Sequence, residues 1–212
     1  MLMLRTCPAD GRTHDGFKWP LEVGSRVCCP DPDPDPNRDC GGGLHGLPWG
    51  EGDGDLLSWA ENAVWVVFEP EKDDEVVFSA GKARCWGTVT VRHVGARHSA
   101  TCFVAEHGGA GKAIVGGTAT AGDSGTATAG YSGTATAGYS GTATAGDRGT
   151  ATAGVSGTLC LRWWDGAANR YRMQVAYVGE NGIKANTSYR LGDRHQFVGV
   201  ETVTATEVEG SK

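Results

Sequence analysis

Four things are missing from this sequence, and each absence removes a class of function. Long apolar runs are missing: no segment approaches the ~20 consecutive apolar residues of a membrane-spanning helix, and the opening MLMLRTCPADGR has no basic region followed by an apolar run of signal-peptide length. No membrane partner is expected. Excess positive charge is missing: 19 Lys and Arg face 25 Asp and Glu, for a net charge of −6, which disfavours a nucleic-acid partner held through its phosphates. Regularly paired cysteines are missing. Cys7, Cys28, Cys29, Cys40, Cys85, Cys102 and Cys160 are odd in number and irregular in spacing, so they read as reduced thiols of a cytoplasmic protein. A recognisable catalytic signature is also missing, since there is neither a nucleophile elbow nor a phosphate-binding loop, and nothing calls for a cofactor.

The middle of the chain also lacks large apolar residues, and what stands there instead is a repeat. From Gly117 to Thr158 the sequence runs GTATAGDSGTATAGYSGTATAGYSGTATAGDRGTATAGVSGT, five near-identical octads. A helix does not tolerate two Gly and two β-branched Thr in every eight residues. A strand does: in TATA both Thr side chains point one way and both Ala the other, and the flanking Gly and Ser turn the chain. Eight residues are too few to close a coil, whereas two octads close a flattened one. The expected fold is therefore mainly β, with a short β-solenoid of sixteen-residue coils over residues 111–158. It lies between an N-terminal α+β cap domain (1–110) and a C-terminal β-hairpin cap with a frayed tail (159–212). Ala127, Ala135 and Ala143 should face a narrow interior. Thr118, Thr120, Thr126, Thr128, Thr134, Thr136, Thr142, Thr144, Thr150 and Thr152 should form an outward binding surface, with rungs ~4.8 Å apart. Tyr131 and Tyr139, eight residues apart, fall on opposite edges of a coil and are candidates for self-association.

The flanks read more conventionally. PDPDPDPNRDC (30–40) must be a loop. AVWVVF (63–68) and EVVF (75–78) read as strands forming a hairpin or lying side by side, and CWGTVTV (85–91) as one further strand. HSATCFVAEHGGAGKA reads as a short helix stopped at Gly108 and Gly109. TLCLRWWDGAANRYRMQVAYV reads as a hairpin turning at 165–169, and LGDRHQFVGVETVTA as a strand or two. The hairpin should cover one open end of the octad stack and the N-terminal domain the other.

The octads, with Tyr or Asp between their TAT units, resemble the repeats of bacterial ice-nucleation proteins, whose T-x-T-A-G units pair into sixteen-residue coils. Shorter Thr-x-Thr solenoids act as antifreeze proteins. This resemblance implies an ice-binding or water-ordering role. The stretch GFKWP (16–20) with CGGGLHGLPWGEGDGDLLSW (40–59) is similar to an uncharacterised domain family of bacteria and phages, in which such a domain precedes Gly/Thr/Ala octads. That family implies an architecture and no reaction.

Residues able to carry chemistry are sparse. His45 is expected in a glycine-rich loop, GGGLHG, near Cys40, Cys28 and Cys29, but these spacings do not match a zinc site, so no metal is expected and a histidine bonded to backbone is the competing reading. EGDGDLLSWAEN (51–62) superficially resembles a calcium loop, yet Leu56 stands where glycine belongs and Asn62 where the bidentate Glu belongs. Cys85 and Cys102, with His93, His98 and His107, supply the raw material of a nucleophilic site without its spacing. If the N-terminal region is an enzyme, His45 and Glu51 are the first acid and base candidates. The leading reading is a non-catalytic module that offers a rigid Thr-lined surface to a protein partner or to itself. Ice binding is the alternative within that class, and an enzyme around His45 the alternative outside it.

Overall fold

The computed structural model describes residues 1–13, 16–33, 35, 37–38, 41–71, 76–79 and 81–200. Strands dominate it, in one antiparallel sheet and two smaller open ones. The antiparallel sheet contains β1 (Met3–Cys7), β2 (Arg26–Cys28), β3 (Leu44–Pro48), β4 (Val64–Pro70), β5 (Val76–Ser79), β6 (Lys82–Cys85) and β7 (Thr88–Gly95), in the order β2-β7-β4-β1-β3-β6-β5. The run VWVVF makes β4 a central strand: Val66 and Phe68 pack on one face with Met3, Trp19 and Val91, while Trp65 and Val67 pack on the other with Leu4, Leu47 and Val104. This second face is covered by α1 (Arg97–Val104), which ends in a π-type turn over Ala105–Gly109.

Three expectations change here. The strands read at 63–68 and 75–78 are not neighbours, because β4 pairs with β1 and β7 whereas β5 pairs with β6 at the far edge. The segment 85–91 is two strands rather than one, interrupted at Trp86 and Gly87. His45 lies within strand β3 rather than in a loop. Glu75 and residues 201–212 lie outside the described residues.

The octads form β8 (Thr118–Ala121), β9 (Thr126–Ala129), β10 (Thr134–Ala137), β11 (Thr142–Ala145) and β12 (Thr150–Ala153). They alternate between two parallel sheets. β8, β10 and β12 pair in one, Thr118 opposite Thr134 and Thr134 opposite Thr150, while β9 and β11 pair in the other, Thr126 opposite Thr142. Every pairing is offset by sixteen residues, so identical residues sit in line. The alanines of β9 to β12 are buried and pack together between the sheets. Those of β8, the outermost strand, are half-buried.

The turns have a division of labour that composition alone hides. The left-handed residue is the last of each octad, Ser124, Ser132, Ser140, Arg148 and Ser156, with φ between 50° and 60°. The glycines serve proximity instead. A Cβ at Gly130 would lie 2.3 Å from the Ala113 carbonyl oxygen, and one at Gly138 2.5 Å from Asp123 Oδ1. Adjacent turns bond directly, Ser132 N–H to Asp147 O at 2.8 Å and Ser140 N–H to Val155 O at 2.9 Å.

At the C-terminal end, β13 (Thr158–Asp165) takes the next place beside β11, with Leu159 and Leu161 opposite Ala143 and Ala145. β14 (Arg170–Tyr177) then pairs antiparallel with β13 along its whole length. On the other sheet β15 (Ser188–Leu191) pairs antiparallel with β12, and β16 (Phe197–Gly199) with β15. Leu159, Leu161, Ile183 and Tyr189 fill the end of the alanine core. Among the described residues no strand pairs beyond β8 or β9. The segment from Ala105 to Gly117 runs beside them, across a cleft of about 180 Å³.

Candidate functional site

The sixteen-residue offset lines the threonines up in rows. On the β8–β10–β12 sheet one row is Thr118, Thr134 and Thr150 and the other Thr120, Thr136 and Thr152. On the second sheet the rows are Thr126–Thr142–Thr158 and Thr128–Thr144, with Cys160 in the next place. Each of these side chains is exposed or half-buried, while its alanine neighbours on β9 to β12 are buried. Within a row the hydroxyls stand ~4.8 Å apart, and across a strand about 6.7 Å apart. Among the described residues, only the far corner of the first sheet is engaged through a threonine hydroxyl, Thr152 Oγ1 lying 2.8 Å from Ser188 Oγ. The second sheet is less open, since Thr128 and Thr144 line a groove walled by other parts of the chain.

The two tyrosines have different fates. Tyr139 is 56 % exposed, beside Val155 at 55 % on one edge of the stack. Tyr131 is 6 % exposed and is taken up inside the molecule, so it offers no edge for self-association. Its ring packs against Trp59, centroids 5.5 Å apart, and against Gly54, where any Cβ would come within 2.3 Å of the ring. Its hydroxyl donates to Asp55 Oδ1 at 2.7 Å, and Arg148 lies over the ring and 3.8 Å from the same carboxylate. Burial, then the Asp55 bond and charge, push its pKa up to about 12. The acidic stretch that superficially resembled a calcium loop thus clamps the repeat: Asp53 caps the turn at Asp55 N–H, and Glu51 accepts from Ala113 N–H at 2.9 Å and pairs with Lys112.

The other candidates do not assemble. His45 Nδ1 lies 3.1 Å from the Gly43 carbonyl, and burial, then the Lys82 charge, lower its pKa, which keeps it neutral. Glu51 is committed elsewhere, to the Ala113 N–H and Lys112, and among the described residues it makes no hydrogen bond to His45. Cys28 contacts Thr88, and Cys29 contacts Asp31, whose carboxylate also accepts from the Gly43 N–H just before β3. Cys40 lies outside the described residues. Among those described, no three His, Cys, Asp or Glu side chains are grouped to hold a metal ion. Cys102 Sγ lies 3.8 Å from the His98 ring on α1, and among the described residues no acid bonds to that ring. Sequence reasoning missed Asp55, Trp59 and Arg148 as the anchor of the repeat. The one signal was Arg148 itself, the only octad residue to replace the terminal Ser.

No helix among the described residues is long and apolar enough to cross a membrane. No family model and no solved structure matches the chain. Among curated proteins, it is 34 % identical over 107 residues to the ice nucleation protein InaU of Pantoea ananas, covering 50 % of this chain and 10 % of that protein. It is 34 % identical to an ice nucleation protein of Enterobacter agglomerans and 31 % identical to one of Pseudomonas fluorescens, in each case over 107 residues, 50 % of this chain and 8 % of theirs. The chain thus spans about a tenth of the length of the curated relatives it matches, and the resemblance of its octads to ice-nucleation repeats is established at the level of sequence.

Proposed function

We propose that residues 111–158 are a short β-solenoid of sixteen-residue coils, set between an N-terminal domain (1–110) and a C-terminal cap (159–212), and that its β8–β10–β12 face is a non-catalytic, water-ordering surface that contacts ice. The observation that carries this reading is the unbroken offset aligning Thr118, Thr134 and Thr150 beside Thr120, Thr136 and Thr152. Hydroxyls held on a rigid ladder hold waters in a fixed lattice, and a repeated register extends that lattice by one row per coil. The ice-nucleation relatives support the same reading through the half of the chain they match. A test is to duplicate residues 133–148 once and twice and measure thermal hysteresis and droplet freezing. Activity should rise with each coil and vanish with Thr134→Lys and Thr136→Lys. Activity indifferent to coil number and to both lysines rejects the reading.

Self-association is a second reading, supported by the exposed pair Tyr139 and Val155 on the free edge. Sedimentation of the wild type against Tyr139→Ser tests it, a shift to lower mass in the variant being the supporting result. A cytoplasmic location is proposed from the odd number and irregular spacing of the cysteines in the sequence alone.

A further inference from the structure

The second sheet carries a different kind of surface. Thr128 and Thr144 form the floor of a groove of about 880 Å³, a size usual for small-ligand sites. One wall is the acidic stretch of the N-terminal region, with Asp53 and Asp55. The other is the C-terminal hairpin, with Arg162, Trp164, Tyr171 and Met173, and Arg148 stands between the two. Large apolar side chains remain open here: Trp164 is 45 % exposed, Tyr171 38 % and Met173 46 %. Trp164 and Tyr171 meet edge to face at 4.9 Å, and Arg162 lies 3.9 Å over the Tyr171 ring. The acidic wall faces this platform closely enough that, after burial, the Asp53 charge is the largest influence raising the Tyr171 pKa.

We infer that this groove is a binding site for a neutral oligosaccharide. Its two walls carry opposite charge, so a polycation meets Arg148 and Arg162 and a polyanion meets Asp53 and Asp55. A ligand that suits both walls must donate and accept hydrogen bonds around its rim without net charge, and must also present an apolar face to Trp164. A pyranose ring does all three: its hydroxyls lie at the edge and its C–H groups on the face, which an aromatic platform covers. The carboxylate wall is fixed beforehand. Asp55 is held by the Tyr131 hydroxyl and Arg148, and Asp53 by the Asp55 N–H, so little ordering remains to be done on binding. A second hollow of about 210 Å³ shares Arg148, Arg162 and Trp164 and extends toward His195, which stacks on Trp163 at 3.6 Å. This gives room for more than one sugar unit. The site lies on the opposite sheet from the proposed ice face, so either assignment can fail while the other stands.

The test is titration of the full chain with cellohexaose, maltohexaose, mannohexaose and chitohexaose, read by tryptophan emission and by calorimetry. At least one should bind saturably, with affinity lowered tenfold or more by Trp164→Ala and unchanged by Tyr139→Ala on the far edge. Arg162→Ala, at an exposed residue, should also weaken binding at least threefold and keeps the test decisive if Trp164→Ala fails to fold. Absence of binding by all four sugars, binding equal in wild type and both groove variants, or saturable binding of spermine or hexametaphosphate in place of the sugars overturns the inference.

Discussion

The alanine and threonine of one strand differ by little in size, yet the fold treats them oppositely. Ala135 is wholly buried between two close sheets, whereas Thr134 faces solvent. Ala135→Leu should therefore overpack the interior by ~1 to 3 kcal/mol, and Thr134→Val should change stability by less than about 0.5 kcal/mol, both read from denaturant midpoints. If the valine variant were the more damaging, the hydroxyl would be the structural side and the surface would lose its grid. Tyr131 gives a pH-dependent counterpart. Its pKa in the folded chain lies above the ordinary 10.0, so folding favours the protonated phenol. The stability this confers is intact below pH 10 and is lost as pH rises toward about 12. Tyr131→Phe should lower stability by about 1 kcal/mol at neutral pH, the net worth of a typical hydrogen bond, since the Asp55 side chain is largely exposed, and should shrink the alkaline loss. An alkaline denaturation curve identical in the two proteins rules this anchor out.

At the scale of elements, the octad is half of the working unit. An offset of sixteen returns each TATA to its own sheet, and it returns Tyr131 and Asp147 to the edge that faces the N-terminal region while Asp123, Tyr139 and Val155 occupy the other. Inserting a copy of residues 133–148 should preserve the melting transition. Inserting only residues 141–148 should lower its midpoint by more than 5 °C, because β12 would be displaced from β10 and β15. Circular dichroism melts distinguish the two, and equal tolerance would show that the two sheets are interchangeable. Alternation of Ala and Thr made these strands and their sixteen-residue pairing legible in sequence, and Asp165 with Asn169 made the β13–β14 turn legible, since Asp165 accepts from the Ala167 and Ala168 N–H groups and Asn169 takes a left-handed φ of 48°. Of the antiparallel sheet, β4, β5 and much of β7 were legible as strands, but the strand order and β3 were not. β3 hides in LHGLP because Gly46 leaves room for the Phe68 ring, 2.9 Å from where a Cβ would sit, and β5 follows β4 in sequence yet joins the far edge. Such choices depend on partners distant in the chain. The groove was hidden for the same reason, its walls coming from residues 51–55 and 162–173.

For the molecule as a whole, area decides how strongly the threonine face can act. Three strands at ~4.8 Å spacing span only about 10 Å from first to last row, and Thr152 is already bonded to Ser188 at one corner. The outward faces of β15 and β16 that continue this sheet carry Arg190, Val198 and other non-repeat residues, so the lattice stops with the octads. A template of six hydroxyls holds few waters in register at once. The expected outcome is slight thermal hysteresis and no droplet freezing above the buffer control from a monomer. Pairing of two copies through Tyr139 and Val155 would widen the face, so sedimentation must accompany the ice measurement. Strong hysteresis from a sample shown to be monomeric, abolished by Thr134→Lys with Thr136→Lys, would mean that six aligned hydroxyls suffice and that area is not the limiting quantity. Strong hysteresis that survives both lysines would place the active surface elsewhere, leaving the second sheet and the exposed aromatics of β14 as the faces to test.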